Sequence, residues 1–168
     1  VPKHTTLTTH LLSWVGNAYF DVEAYSVAYL KLLQSGINYG QLHMRKQQRE
    51  RFDRATLNHF VHSYAIDLGS HFNTDYGDLS YANLRRAAHI AQNETEHLAP
   101  SQGNLCSLYY WMGYAASTRA QSHVRSTSIG WFERVLVRGS TRDDGGATLT
   151  NDEQKSCHDL KPFALDAL

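Results

Sequence analysis

No stretch of this sequence stays apolar long enough to cross a bilayer, which excludes a membrane-spanning helix. Charge of one sign is lacking as well. Lys plus Arg and Asp plus Glu number 16 each, so no net field draws the chain toward phosphate backbones, and nucleic acid is not an expected partner. There is no glycine-rich phosphate loop, no serine-nucleophile signature and no strong period-two alternation; residues 135–138 alone could be read as a strand. Cysteine occurs only twice, at Cys106 and Cys157, without the close pairs that zinc and thioredoxin-type sites need.

Two cysteines far apart predict one structural disulfide, and with it a chain that matured in the periplasm or outside the cell; the alternative is two buried thiols acting as small hydrophobes. The opening Val1-Pro2-Lys3, without an initiator Met, fits a removed signal peptide or a trimmed chain. Length and apolar content suffice for one hydrophobic core, so a single domain over residues 1–168 is expected. Ten histidines mean that acidification would turn a neutral chain strongly cationic. Arg45, Lys46, Arg49, Arg51 and Arg54 cluster in one segment that Glu50 and Asp53 interrupt, the pattern of a solvated helix face.

Periodicity reads as helix throughout. Leu7, Leu11, Leu12 and Val15 recur at helical spacing. Asp21 then offers a cap for a second stripe through Val22, Tyr25, Ala28, Tyr29 and Leu32, which Gly36 ends. Residues 37–43 read as a connection. The strongest pattern spans 45–68, through Leu57, Phe60, Val61, Tyr64 and Leu68. After a loop over 70–78, Ser80 is expected to cap a helix running to Pro100 on Leu84, Ala87, Ala88, Ala91 and Leu98. Residues 102–118 are apolar on nearly every side, which places that helix in the middle of a bundle, with Gly113 admitting a neighbouring backbone. A further amphipathic stretch covers 129–137, a polar loop 140–149 is expected to be mobile, and Thr150 with Glu153 forms a capping box for a last helix stopped before Pro162. The fold class is therefore all-α, a single-domain irregular bundle of about five to six helices. Leu108 to Ala116 with Trp131 to Gly139 resembles one tetratricopeptide-type hairpin; the likeness covers about a fifth of the chain and no fixed-period repeat accompanies it.

Several constellations could carry chemistry. Glu94-x-x-His97 has the spacing that di-iron bundles use, without the second copy such a site requires. At 100° per residue, His89, Asn93, Glu96 and His97 face away from the stripe of Leu84, Ala87, Ala88 and Ala91. His59, His62, His71 and Asp75 could together hold zinc in a secreted helical hydrolase, with metal-bound water as nucleophile. Asn93-Glu94-Thr95 is a glycosylation sequon, used only in a secreted eukaryotic chain. Tyr110, Trp111 and Tyr114 concentrate amphipathic aromatic area, which serves cores and interfaces alike.

The preferred expectation is an extracytoplasmic helical factor that binds and neutralises a partner protein, as an inhibitor or immunity protein does, without cofactor or catalysis. Its binding residues would be Tyr110, Trp111, Tyr114, His89 and His97, and a homodimer is compatible with it. The alternatives are the zinc hydrolase using His59, His62, His71 and Asp75, and a helical pocket for a lipid or other apolar small molecule.

Overall fold

The computed structural model describes residues 6–56, 75–94, 105–140 and 151–168, with the side chains of 52–56, 139–140 and 151–154 left out. Six helices make up these residues in a single bundle-like arrangement: α1 (Thr6–Asp21), α2 (Tyr25–Thr56), α3 (Tyr76–Asn93), α4 (Leu105–Ser117), α5 (Ser122–Ser140) and α6 (Asn151–Ala167). No strand occurs among them, and residues 135–138 are helical, with Val135 fully buried. None of these helices is long and apolar enough to cross a membrane.

The apolar helix expected near 102–118 is α4, and it is central: it packs on α2, α3, α5 and α6. One core joins Ala28, Tyr29, Leu32 and Leu33 of α2 to Leu84, Ala87 and Ile90 of α3 and to Leu108 and Met112 of α4. A second lies beneath α5 and α6 around Phe132, Val135 and Ala164. There the predicted Cys106–Cys157 disulfide ties α4 to α6, with both cysteines buried. α4 and α5 form the expected hairpin, but what meets Gly113 is the Phe132 ring, not backbone: a Cβ built there would lie 2.8–3.0 Å from three ring atoms.

α2 is one unbroken helix through residues 37–43, where a connection was expected. The glycines that suggested a break instead line a close-packed seam. A Cβ on Gly36 would fall 2.5 Å from Leu84 Cγ, and one on Gly40 2.8 Å from Trp111 Cε3. Ser80, expected to cap α3, is buried and donates from Oγ to the Gly36 carbonyl at 2.7 Å, fastening the seam. The cap is Asp75, whose Oδ1 accepts from the Asp78 amide at 2.9 Å, so residues 76–78 of the expected loop are helical. α3 ends at Asn93, and its predicted run to Pro100 lies outside the described residues, as do residues 57–68 of the strongest sequence pattern and most of the 140–149 loop.

Asp21 closes α1 rather than capping α2. The Glu23 amide donates to the Phe20 carbonyl and the Ala24 amide to that of Tyr19, the paired bonds of a Schellman turn, with Glu23 at φ 62° in the position glycine usually fills. α6 continues past Pro162, where a stop was expected. Pro162 and His158, whose carbonyl loses a donor, lie on an exposed face that water reaches, while Cys157 and Ala164 anchor the opposite face.

α1 is turned inside out. Of its expected apolar stripe, Leu7, Leu11 and Val15 face solvent, Leu7 being 65% exposed, and Leu12 is partly buried, whereas Thr9, Ser13 and Gly16 are buried. Small residues at these positions let α1 lie close on α2: a Cβ on Gly16 would stand 3.1 Å from the Leu32 backbone nitrogen. Hydrogen bonds then satisfy the buried polar groups. Asn83 Nδ2 donates to Ser13 Oγ (2.9 Å) and to Ser35 Oγ (3.0 Å), while its Oδ1 accepts from Asn17 Nδ2 at 3.3 Å. His10 Nδ1 and the buried Tyr39 hydroxyl share a bond of 2.5 Å.

His43, midway along α2, is the contrasting case, because its Nε2 is buried and has no hydrogen-bond partner among the described residues. Burial lowers its pKa below the usual 6.5; Asp75 and Glu50 pull it upward, and Lys46 and Arg119 push it further down. A histidine whose folded pKa is depressed adds stability that is complete above the unfolded value and lost as pH falls through the folded one. Wild type is therefore expected to lose more stability than His43→Phe between about pH 7.5 and about pH 5 in paired urea titrations. Equal losses in the two proteins would show that His43 does not contribute to the acid sensitivity.

Candidate functional site

α3 and α5 diverge above α4 and leave an open groove of about 560 Å³. α3 contributes Tyr81, Arg85, His89 and Gln92, α5 contributes Ser126, Thr127, Gly130, Trp131 and Arg134, and Met112 of α4 lies between them. The sequence puts these residues here by simple periodicity. On α3 the buried stripe of Leu84, Ala87, Ala88 and Ala91 turns Arg85 and His89 outward, and on α5 burial of Phe132 and Val135 turns Gly130 and Arg134 the other way.

Among the described residues no carboxylate lines the groove. Among the described residues neither Arg85 nor Arg134 is in an ion pair, whereas nearby Arg86 is held by Asn17 Oδ1 at 2.7 Å and faces Asp21 at 3.7 Å. Arg134 lies over the Trp131 ring, 4.2 Å from its centroid, and 5.8 Å from that of Tyr109. Stacking orients the guanidinium and leaves its in-plane N–H groups free to donate. Gly130 faces open space, with nothing among the described residues within 4 Å of where its Cβ would be. The groove continues past Ala82 and Arg86 toward Phe20, which sits under the Arg86 guanidinium at 4.8 Å. Chemically it offers two forked cations beside flat aromatic surface, suited to an anionic group carried on an apolar body.

Of the residues singled out from sequence, His89 lies in this groove, exposed on α3 and bonded through Nδ1 to Asn93 Nδ2 at 3.1 Å. Tyr110, Trp111 and Tyr114 are half-buried and join α4 to its neighbours. The Tyr110 ring packs against Phe132 and Phe163, Trp111 covers Gly40, and Tyr114 meets His43 edge-on while its hydroxyl donates to Gln47 Oε1 at 3.3 Å. Burial, with Tyr110 adding to it, pushes the Tyr114 phenol up to about 12. Asp75 is the α3 cap, and His59, His62, His71 and His97 lie outside the described residues. Among the described residues no three His, Cys, Asp or Glu side chains gather as a metal site would require.

Sequence reading missed Arg85, Trp131 and Arg134. The available signal was the i, i+3 pair of Trp131, at the edge of the apolar face of α5, and Arg134, turned away from that face. Compared with protein-family models, curated proteins and solved structures, this chain matches none.

Proposed function

We propose that this chain is an extracytoplasmic helical protein-binding factor, of the inhibitor or immunity type, that holds an acidic segment of its partner in the groove between α3 and α5. The observation that carries this reading is the pairing of Arg85 and Arg134 with Trp131 and Tyr81 in a groove where, among the described residues, no carboxylate neutralises them. Arginine, tryptophan and tyrosine are the residues that dominate binding energy at protein interfaces, and a carboxylate set between two guanidiniums forms strong forked hydrogen bonds. The disulfide is compatible with an oxidising compartment, which supports the location.

Gly130→Leu supplies the test. The new side chain enters empty space and replaces a mid-helix glycine, so the variant should be more stable by about 0.5–1 kcal/mol while the groove is filled. Wild-type and variant proteins are immobilised and exposed to the extracytoplasmic fraction of the source. A polypeptide held by wild type and lost by Gly130→Leu is then purified and titrated. Arg134→Ala should weaken its binding by at least about tenfold, and added salt should weaken it further. Retention of every captured polypeptide by both variants would refute the reading.

A further inference from the structure

We propose that the outer face of α1 is a self-association surface, and that two copies of this chain pair through antiparallel α1 helices related by a two-fold axis between Trp14 and Val15. This face is distinct from the groove: Phe20, the α1 residue nearest the groove, points to the opposite side of the helix. Leu7, Leu11, Trp14, Val15, Tyr19 and Val22 are 40–72% exposed. At the surface that residues of these sizes carry, they present roughly 600 Å² per copy, or about 1,200 Å² for a pair, which reaches the range of specific interfaces. A single apolar residue in water is ordinary, but a continuous helical stripe of this extent is a surface that association covers.

Three features select a second copy as the occupant. First, α1 carries no Lys, Arg, Asp or Glu between Thr6 and Phe20, so two identical faces meet without like-charge repulsion and without a charge pattern that would specify a different partner. Second, Leu7, Leu11, Trp14 and Ala18 follow the alternating four and three spacing of a helix–helix seam. Third, the stripe is complementary to its own reverse. A two-fold between Trp14 and Val15 sets Leu7 against Val22, the residue that follows α1, Leu11 against Ala18 and Tyr19 against His10, each larger side chain opposite a smaller one, and each pair occurs twice, as in an isologous interface. The inner face of α1, fixed by Ser13, Asn17 and Asn83, holds the helix in place while its outer face is engaged.

Sedimentation equilibrium of the full chain is expected to give a dimer in the micromolar range. Leu11→Glu and Trp14→Glu should each weaken dimerisation by at least about tenfold. Both side chains are exposed, so circular dichroism and melting should show intact folds. Since both native cysteines are paired, Val15→Cys tests the register: mild oxidation should link two copies of this variant, and should not link Ile129→Cys, a more accessible site on α5. A monomer at every concentration overturns the proposal. So does a dimer that Leu11→Glu leaves unchanged, or a Val15→Cys dimer that links no better than Ile129→Cys. Gly130→Leu should leave dimerisation intact, which separates failure here from failure of the groove reading.

Discussion

Replacing Cys106 and Cys157 together by alanine is expected to lower the unfolding free energy by about 4 kcal/mol and the melting temperature by about 10 °C. The two residues are 51 apart, and closing a loop of that length removes unfolded-state entropy of this order. Such a loss is a large part of the 5–15 kcal/mol that holds a typical domain together. The loss should also be local. Among the described residues α6 buries only Cys157 and Ala164, with Leu160 partly buried beside them, while Phe163, Leu165 and Leu168 remain more than half exposed, so the disulfide supplies a large share of what fixes this helix against α4 and α5. Hydrogen exchange should accordingly show α6 losing protection before α2 and α3. Reduction of the wild-type protein should reproduce both effects. A double variant within about 1 kcal/mol of wild type in urea titrations would show that packing alone holds α6.

The second large effect concerns Gly36. Replacing a mid-helix glycine by alanine ordinarily stabilises a helix by up to about 1 kcal/mol, as expected at Gly130. At Gly36 the sign should reverse, because the new methyl would lie 2.5 Å from Leu84 Cγ and 2.6 Å from Cδ2. Leu84 is fully buried and Ser80 holds the Gly36 carbonyl, so either Leu84 is forced from its packed position or α2 and α3 separate. Overpacking of this kind costs about 1–3 kcal/mol, which exceeds the gain in propensity. Gly36→Ala should therefore destabilise while Gly130→Ala stabilises, measured by the same denaturant titration. Combining Gly36→Ala with Leu84→Ala should cost less than the sum of the two single changes, since the smaller side chain makes room for the methyl.

These opposite expectations for two glycines in helix interiors show where sequence reading reaches its limit. Gly36 and Gly40 carry the same local signal as a helix stop, and only the approach of Leu84 and Trp111 distinguishes a seam from a break. Pro162 is similar: it removes one hydrogen bond wherever it stands, but whether the helix continues depends on water reaching the freed carbonyl and on the anchoring of Cys157 and Ala164. The candidate groove was legible only in part. His89 could be placed outward by angle counting on α3, but Arg85 and Arg134 belong to different helices, and nothing local shows that they share a cleft.

By itself the sequence determined the all-α class, the central place of α4, the outward turn of His89 and the pairing of two distant cysteines. Each of these follows from periodicity, from apolar residues covering all sides of one helix, or from chain-wide counting, none of which needs a neighbour to be known. Tertiary structure alone decided which face of α1 is inside. The stripe of Leu7, Leu11 and Val15 and the stripe of Thr9, Ser13 and Gly16 are equally helical in spacing. The smaller one faces the core because close approach to Leu32 and hydrogen bonds to Asn83 are available there, an environment supplied by residues distant in the chain.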